Sequence, residues 1–289
     1  AETPKEQQFS QREVFMRDFR AKLKIFRENM SRAQTELEEM LRKNPDARPI
    51  AGGQSLIPAL KLRLAGPPAL VDLGAIEELR GIKIDSGTLA IGALTRHSEV
   101  ASSRDVAMSI PALARLADGI GDRQVRNQGT LGGALANNDP AADYPAAVLG
   151  LGATITTNKR AIAADKFFTG LYETALRPGE IIMSVAFPLA KRAAYVKFRN
   201  PASRFAIVGV FVSEGAGAVR VAVTGAANCA FRVRAMEKKL AAGFTPDAIA
   251  RIKVPPDGLN SDLHASAEYR AHLITVIAQR AVAAALAGK

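Results

Sequence analysis

Apolar residues recur every three or four positions from Phe15 through Phe19, Leu23, Phe26, Met30, Ala33 and Leu37 to Met40. Charged residues fill the gaps, which predicts one long amphipathic helix. Asn44-Pro45 ends it, because a residue before proline is driven out of helical backbone. The stripe holds bulky aromatics and no sustained heptad, so it reads as a helix packed on the body of the protein rather than a coiled coil. Arg48 to Ala51 then gives a short β-like approach to IAGGQSL at 50–56, and residues 56–64 return to a helical period.

From Ala69 the pattern changes to short apolar runs between turn signals. ALVDLG, GIKI and TLAIGAL read as strands, with Asp85-Ser86-Gly87 closing a hairpin. A helix is expected around 110–120, Tyr144 to Leu151 is apolar, and ATITTN is a strand. FFTGLYETALRPGEIIMSVAFP reads as helix, turn and strand. Beyond Pro188, YVKFRN, AIVGVFVSE and AVRVAVTGAAN read as three consecutive strands, followed by helices at 234–241, 246–252 and 268–286. Short strands without regular strand–helix alternation predict an α+β fold and not a doubly wound sheet. The shifts divide the chain into a helical segment 1–44, a body 45–189 and a C-terminal unit 190–289.

Composition narrows the function classes. At 289 residues and 48% apolar, the chain can bury a substantial core. No apolar run approaches the ~20 residues of a membrane span. The opening AETPKEQQ lacks the apolar stretch of a secretory signal, so a cytoplasmic protein is expected. The net charge of +11 invites a nucleic-acid partner. Against that, the basic residues are spread among acids without a basic tract, and Trp is absent. The charge reads instead as suited to an anionic cofactor or an acidic partner surface. Cys229 stands alone, so the chain cannot supply the ligands of an iron–sulfur cluster. Any one-electron relay must lie in another chain.

The richest chemistry lies in RNQGTLGGALANNDPAAD at 126–143. Gly132 and Gly133 carry no Cβ and can take positive φ, which lets backbone N–H groups approach a phosphate. IAGGQSL has the same character, and two such segments suggest a dinucleotide with a pyrophosphate. Neither has the spacing of a Rossmann or a Walker loop. Each alone reads better as a tight turn.

Four motifs in order carry a family resemblance: IAGGQSLIPALKLRLA, LVDLGAIEELRGI, TLAIGALTRHSEV and RNQGTLGGALANNDPAADYPAAVLGLGA. They resemble the FAD-binding medium subunits of molybdenum hydroxylases, chiefly the aerobic carbon monoxide dehydrogenase type and more distantly the FAD domain of xanthine dehydrogenases. The resemblance runs from about residue 45 to the C-terminus. It implies a vanillyl-alcohol-oxidase-type (PCMH-type) FAD fold of two subdomains, with a C-terminal lobe of three-stranded antiparallel sheet and helices.

It also implies that Ile50, Ala51, Gly52, Gly53, Gln54, Ser55 and Leu56, with Thr130, Leu131, Gly132, Gly133 and Ala134, cradle the FAD pyrophosphate through backbone amides. Asp143 would accept hydrogen bonds from the ribose or adenine side. Ile182 would pack on the flavin or adenine. Lys197 would lie near the isoalloxazine, where a cation stabilises the anionic reduced form. From the residues alone, Asp143 also fits a helix N-cap, Lys197 a solvent-facing strand lysine, and Ile182 ordinary core. Asn137, Asn138 and Asp139 fit turn formers as well as ligands. Phe205 stands where several members of the family carry a tyrosine. His97, His264 and His272 are scattered, and none is assigned as base, metal ligand or flavin anchor. The family usually opens with a strand, a shorter helix and a second strand, whereas Ala1 to Asn44 here reads as polar residues and one long helix.

No catalytic residue and no metal ligand is assigned to this chain. The resemblance implies an electron outlet. Substrate (carbon monoxide, an aldehyde or an N-heterocycle) is oxidised at molybdopterin in a large subunit. Electrons then pass through two 2Fe-2S clusters of a small subunit to FAD here, and on to an external acceptor such as quinone, oxygen or NAD. The implied assembly is a heterotrimer doubled into a dimer of heterotrimers, a heterohexamer. A self-contained FAD oxidase or reductase of the same fold is the alternative, and it needs an acid/base pair that the sequence does not display. A basic scaffold whose glycines are mere turns is a third reading, and it predicts a colourless protein.

Overall fold

The structure, a computed structural model, describes residues 46–289 except 86, 216 and 289, together with 35, 39 and 42–44. The helix expected over 15–40 lies for the most part outside the described residues.

Strand Arg48–Ile50 pairs in parallel with Leu70–Asp72, and helix Leu56–Lys61 joins them. Ala51–Ser55 therefore leaves the C-terminal end of a strand, held there by Leu73 N–H donating to the Ile50 carbonyl at 2.9 Å. Next comes a five-stranded sheet in the order Ile82–Asp85, Thr88–Gly92, Ile182–Pro188, Thr154–Thr157, Ala161–Ala163, with every neighbouring pair antiparallel. The expected hairpin at 85–87 is its first turn. Helices Pro111–Asp118, Leu131–Asn137 and Tyr144–Leu151 contribute to the core it covers, where Leu89, Ile91, Leu113, Leu131, Tyr144, Ile155, Val185 and Phe187 lose all contact with solvent. Each large side chain so buried contributes roughly 1.5–3 kcal/mol. The helix Tyr144–Leu151 is buried at every position, so it carries no amphipathic period.

Strand Ile182–Pro188 has an irregularity that decides which residues face which core. Thr156 pairs with Ser184 and Thr157 with Ile182, a bulge that shifts the alternation by one residue. Ile182 thus joins Val185 and Phe187 in the large core, while Ile181 and Met183 face a smaller cluster with Leu79 and Leu94, against which Ala51 packs.

The segment read as a helix from Phe167 is instead a hairpin, Phe168–Gly170 with Glu173–Thr174. Tertiary contacts override its local pattern: the Asn138 side-chain amide donates to the carbonyls of Gly170 (2.9 Å) and Glu173 (2.6 Å), and Tyr172 turns the tip at φ 55°. Four helices escaped the sequence reading, His97–Ser102, Arg104–Ser109, Arg123–Gln128 and Leu131–Asn137, because six or seven residues are too few to display a period.

Beyond residue 190 the expected meander is present as Arg192–Arg199, Ala206–Gly215 and Ala218–Thr224, and the two-residue strand Phe231–Arg232 adds a fourth. The sheet is covered on both faces, which explains the continuous run AIVGVFV. Val208, Val210, Val212, Val221 and Val223 share a core with helix Ala267–Leu286. Phe211 and Ala222 join the core of the body instead. Gly150 admits the Phe211 ring, since a Cβ there would lie 2.6 Å from it. Asp165 of the body also receives Arg220 (3.2 Å) and Arg232 (3.0 Å) from the meander. The helix expected at 246–252 shortens to one 3-10 turn, Pro246–Ile249.

Candidate functional site

The first glycine segment offers donors. Gly53 adopts φ +70°, and the N–H groups of Ala51, Gly52, Gly53, Gln54 and Ser55 have no acceptor among the described residues. A turn that gathers unengaged amides at a surface attracts an anion.

The second segment works differently from its expected role. Gly132 and Gly133 lie in the first turn of helix Leu131–Asn137, and neither takes positive φ. Leu131 N–H donates to the Thr95 carbonyl (3.0 Å), Gly132 N–H to Ala93 (2.8 Å), and Gly133 N–H to the Thr130 hydroxyl (3.2 Å). These amides are therefore engaged within the chain, and the Thr130 N–H is left without an acceptor among the described residues. The glycines serve close approach: a Cβ on Gly132 would stand 2.5 Å from the Ala93 Cβ.

The two segments meet. A Cβ on Gly52 would run into the Gln128 carbonyl, and one on Gly133 would lie 3.8 Å from the Ala51 Cβ. The turn at 51–55 thus packs on a floor made by the backbone of Gln128 and Gly129, with Gly133 beside Ala51. His97 supports that floor from behind. Its backbone N–H donates to the Gly129 carbonyl (2.9 Å), and its ring stands 5.2 Å from that of Tyr144. Burial, with Arg126 nearby, pushes the imidazole down to about 4, so it is neutral at ordinary pH.

Asp143 occupies the N-cap position of helix Tyr144–Leu151 yet caps nothing. Its Oδ2 lies 2.9 Å from Lys197 Nζ, and its Oδ1 accepts the Tyr195 hydroxyl. The side chains of the ion pair are 5% and 8% exposed, so Lys197 is neither a solvent-facing lysine nor an uncompensated cation. Lys197 also donates to the Gly119 carbonyl at 3.0 Å. Burial raises the Asp143 carboxyl above its ordinary value, against the pull of Lys197 and Tyr195. The same burial, with Asp143 beside it, raises the Tyr195 hydroxyl well above its own. The segment leading to Asp143 is pinned to the four-stranded sheet: the Thr224 hydroxyl donates to the Pro140 (3.0 Å) and Ala142 (2.6 Å) carbonyls.

Ile182 stands apart from the glycine segments, in the large core at 5% exposure; its neighbours Ile181 and Met183 share the cluster against which Ala51 packs. Phe205 is exposed at the end of the loop that Asn200 closes. Sequence reasoning missed Tyr195, Thr224 and the placement of His97. A usable signal existed for the first, since Tyr195 and Lys197 are two apart in one strand and share a face.

Comparison with known proteins identifies the family of the chain. Residues 29–190 match the family described as FAD binding domain in molybdopterin dehydrogenase. The chain is 34% identical over 260 residues to the carbon monoxide dehydrogenase medium chain of Hydrogenophaga pseudoflava, covering 84% of this chain and 90% of that one. It is 32% identical over 265 residues to the glyceraldehyde dehydrogenase medium chain of Sulfolobus acidocaldarius, covering 85% and 93%. Among solved structures, quinoline 2-oxidoreductase from Pseudomonas putida 86 matches with a TM-score of 0.79 at 31% identity, covering 88% of this chain and 94% of that one.

Proposed function

The chain belongs to the family of FAD-binding domains of molybdopterin dehydrogenases, and on that premise we propose that its two glycine segments hold the pyrophosphate of FAD. The protein is a flavoprotein subunit of a molybdenum-hydroxylase-type oxidoreductase, and its role is electron transfer. One observation supports the site most strongly. Five consecutive N–H groups, from Ala51 to Ser55, lack acceptors among the described residues, in a turn whose glycine packs directly on the Gln128–Gly129 backbone. A dianionic pyrophosphate fits that donor set.

Bound FAD supplies an acceptor that exchanges electrons singly with iron–sulfur clusters and in pairs with other partners. The chain's own residues bind and orient it. Ala51 to Ser55 donate to the phosphates, with Ile50 and Leu56 flanking the turn. Thr130 adds its N–H, which has no acceptor among the described residues, while Leu131, Gly132, Gly133 and Ala134 continue the floor. Asp143 and Lys197 hold the polar edge of the cofactor as a matched pair, and Ile182 backs the site from the core. The surplus of +11 suits an anionic cofactor and an acidic partner face.

We further infer a small iron–sulfur subunit and a large molybdopterin subunit as partners, a dimer of heterotrimers as the assembly, a cytoplasmic location, and the division of the chain into 45–189 and 190–289. Among the described residues no helix is long and apolar enough to cross a membrane. The relatives' names span carbon monoxide, glyceraldehyde and quinoline, so substrate choice is assigned to another chain, while the FAD held here passes the electrons on to an external acceptor. The test is copurification with the neighbouring subunits, followed by identification of the heat-released pigment. Noncovalent FAD that substrate reduces only in the complex is the expected result. A chain that oxidises a substrate unaided, or that holds no flavin, contradicts the proposal.

A further inference from the structure

We propose that Tyr195 is a positioning residue for the flavin site: through Asp143 it fixes the charge balance of the Asp143–Lys197 pair that faces the cofactor. The proposal rests on the FAD reading above. The Asp143 side chain is 5% exposed, and a buried carboxylate needs donors for both oxygens. Lys197 serves Oδ2 at 2.9 Å, and the Tyr195 hydroxyl is the donor that serves Oδ1. Remove that hydroxyl and one oxygen is orphaned, which favours the protonated acid. The Lys197 ammonium would then stand without its counter-charge, with Arg199 adding further positive potential.

The surroundings hold the tyrosine in place. Tyr195 and Lys197 share the face of strand Arg192–Arg199 turned toward the body, where Tyr195 packs against its core. On the neighbouring strand, Gly209 leaves room for the phenol, since a Cβ there would collide with the Tyr195 hydroxyl. Thr224, one strand further, pins the Asp143 segment through Pro140 and Ala142. Three strands of the C-terminal sheet therefore hold the Asp143 segment and the side chains that meet its carboxylate. Tyr195 itself is half-buried against the core of the body and acts through Asp143.

The experiment is a reductive titration of the FAD-loaded complex, reading flavin content and midpoint potential for wild type, Tyr195→Phe, Asp143→Asn and the double variant. Tyr195→Phe is expected to retain FAD and shift the potential upward. Asp143→Asn shifts it further in the same direction, and adding Tyr195→Phe to Asp143→Asn changes nothing more. Replacing Tyr195 by 3-fluorotyrosine, which preserves shape and strengthens the donor, shifts the potential downward and keeps the test alive if the phenylalanine variant misfolds. A potential that ignores both changes at position 195, or a Tyr195→Phe shift that persists in the Asp143→Asn background, overturns the inference while the FAD reading stands. A wild-type complex without FAD overturns both.

Discussion

In Ala51–Ser55 the glycine pair turns the chain at φ +70° and leaves five backbone N–H groups without an acceptor among the described residues. In Thr130–Ala134 the same pair sits inside a helix whose first amides already donate to Thr95, Ala93 and Thr130. Glycine supplies conformational freedom and donors in one case, and absence of bulk in the other. The two uses are complementary, because donors that reach outward need a partner surface that stays out of the way. A Gly-Gly pair in a sequence therefore does not reveal which of its two properties is in use; the acceptors of the neighbouring amides do.

The sharpest way to break this division of labour is Gly52→Ala. The added methyl runs into the Gln128 carbonyl and parts the two segments. The expected cost is about 3 kcal/mol, which weakens FAD binding roughly a hundredfold. Titration by quenching of flavin fluorescence measures it, and wild-type affinity would refute the contact between the segments.

Acid should loosen the floor and spare the donor turn, which has no titratable group of its own. His97 is held at about 4 against an ordinary value of 6.5, so the unfolded chain takes up its proton first on acidification. Stability from this group is intact above about pH 6.5, declines as pH falls toward 4, and levels off below. The loss is at most about 3 kcal/mol. Urea melts across that window measure it, and His97→Gln removes this part of the slope.

Gly132→Ala sharpens the contrast from the other side. Crowding against Ala93 destabilises by about 1–3 kcal/mol, partly offset by alanine's better helix propensity of about 1 kcal/mol. Thermal melts should register the loss, while the folded fraction binds FAD nearly as wild type does. Gly53→Ala has the smallest effect on stability, about 1 kcal/mol from forcing an L residue into left-handed backbone. Its signature is the reverse: several-fold weaker FAD binding with the melt little changed, since it reorients the donor turn.

Much of this was legible in the sequence. The hairpin at 85–87, the three-strand meander and the helix Ala267–Leu286 follow from local periodicity, and the ordered motifs mark both glycine segments. What was hidden depends on contacts distant in sequence. The hairpin after Phe167 is held by Asn138, some thirty residues away. The amides of Leu131 and Gly132 are engaged by carbonyls at 95 and 93, so nothing local announces that they are closed to a ligand. Asp143 and Lys197 could each be singled out by motif. Their union as a buried pair joined to Tyr195 required the C-terminal sheet to fold onto the body.

The central claim is that the free amides of Ala51–Ser55 hold a pyrophosphate. Its most direct test compares equilibrium binding of FAD and of riboflavin, which shares the ring system and lacks the pyrophosphate, to the flavin-free protein. The account predicts one FAD per chain and riboflavin roughly a hundredfold weaker or worse. Riboflavin bound as tightly as FAD, or no flavin bound even with the partner subunits present, would contradict it.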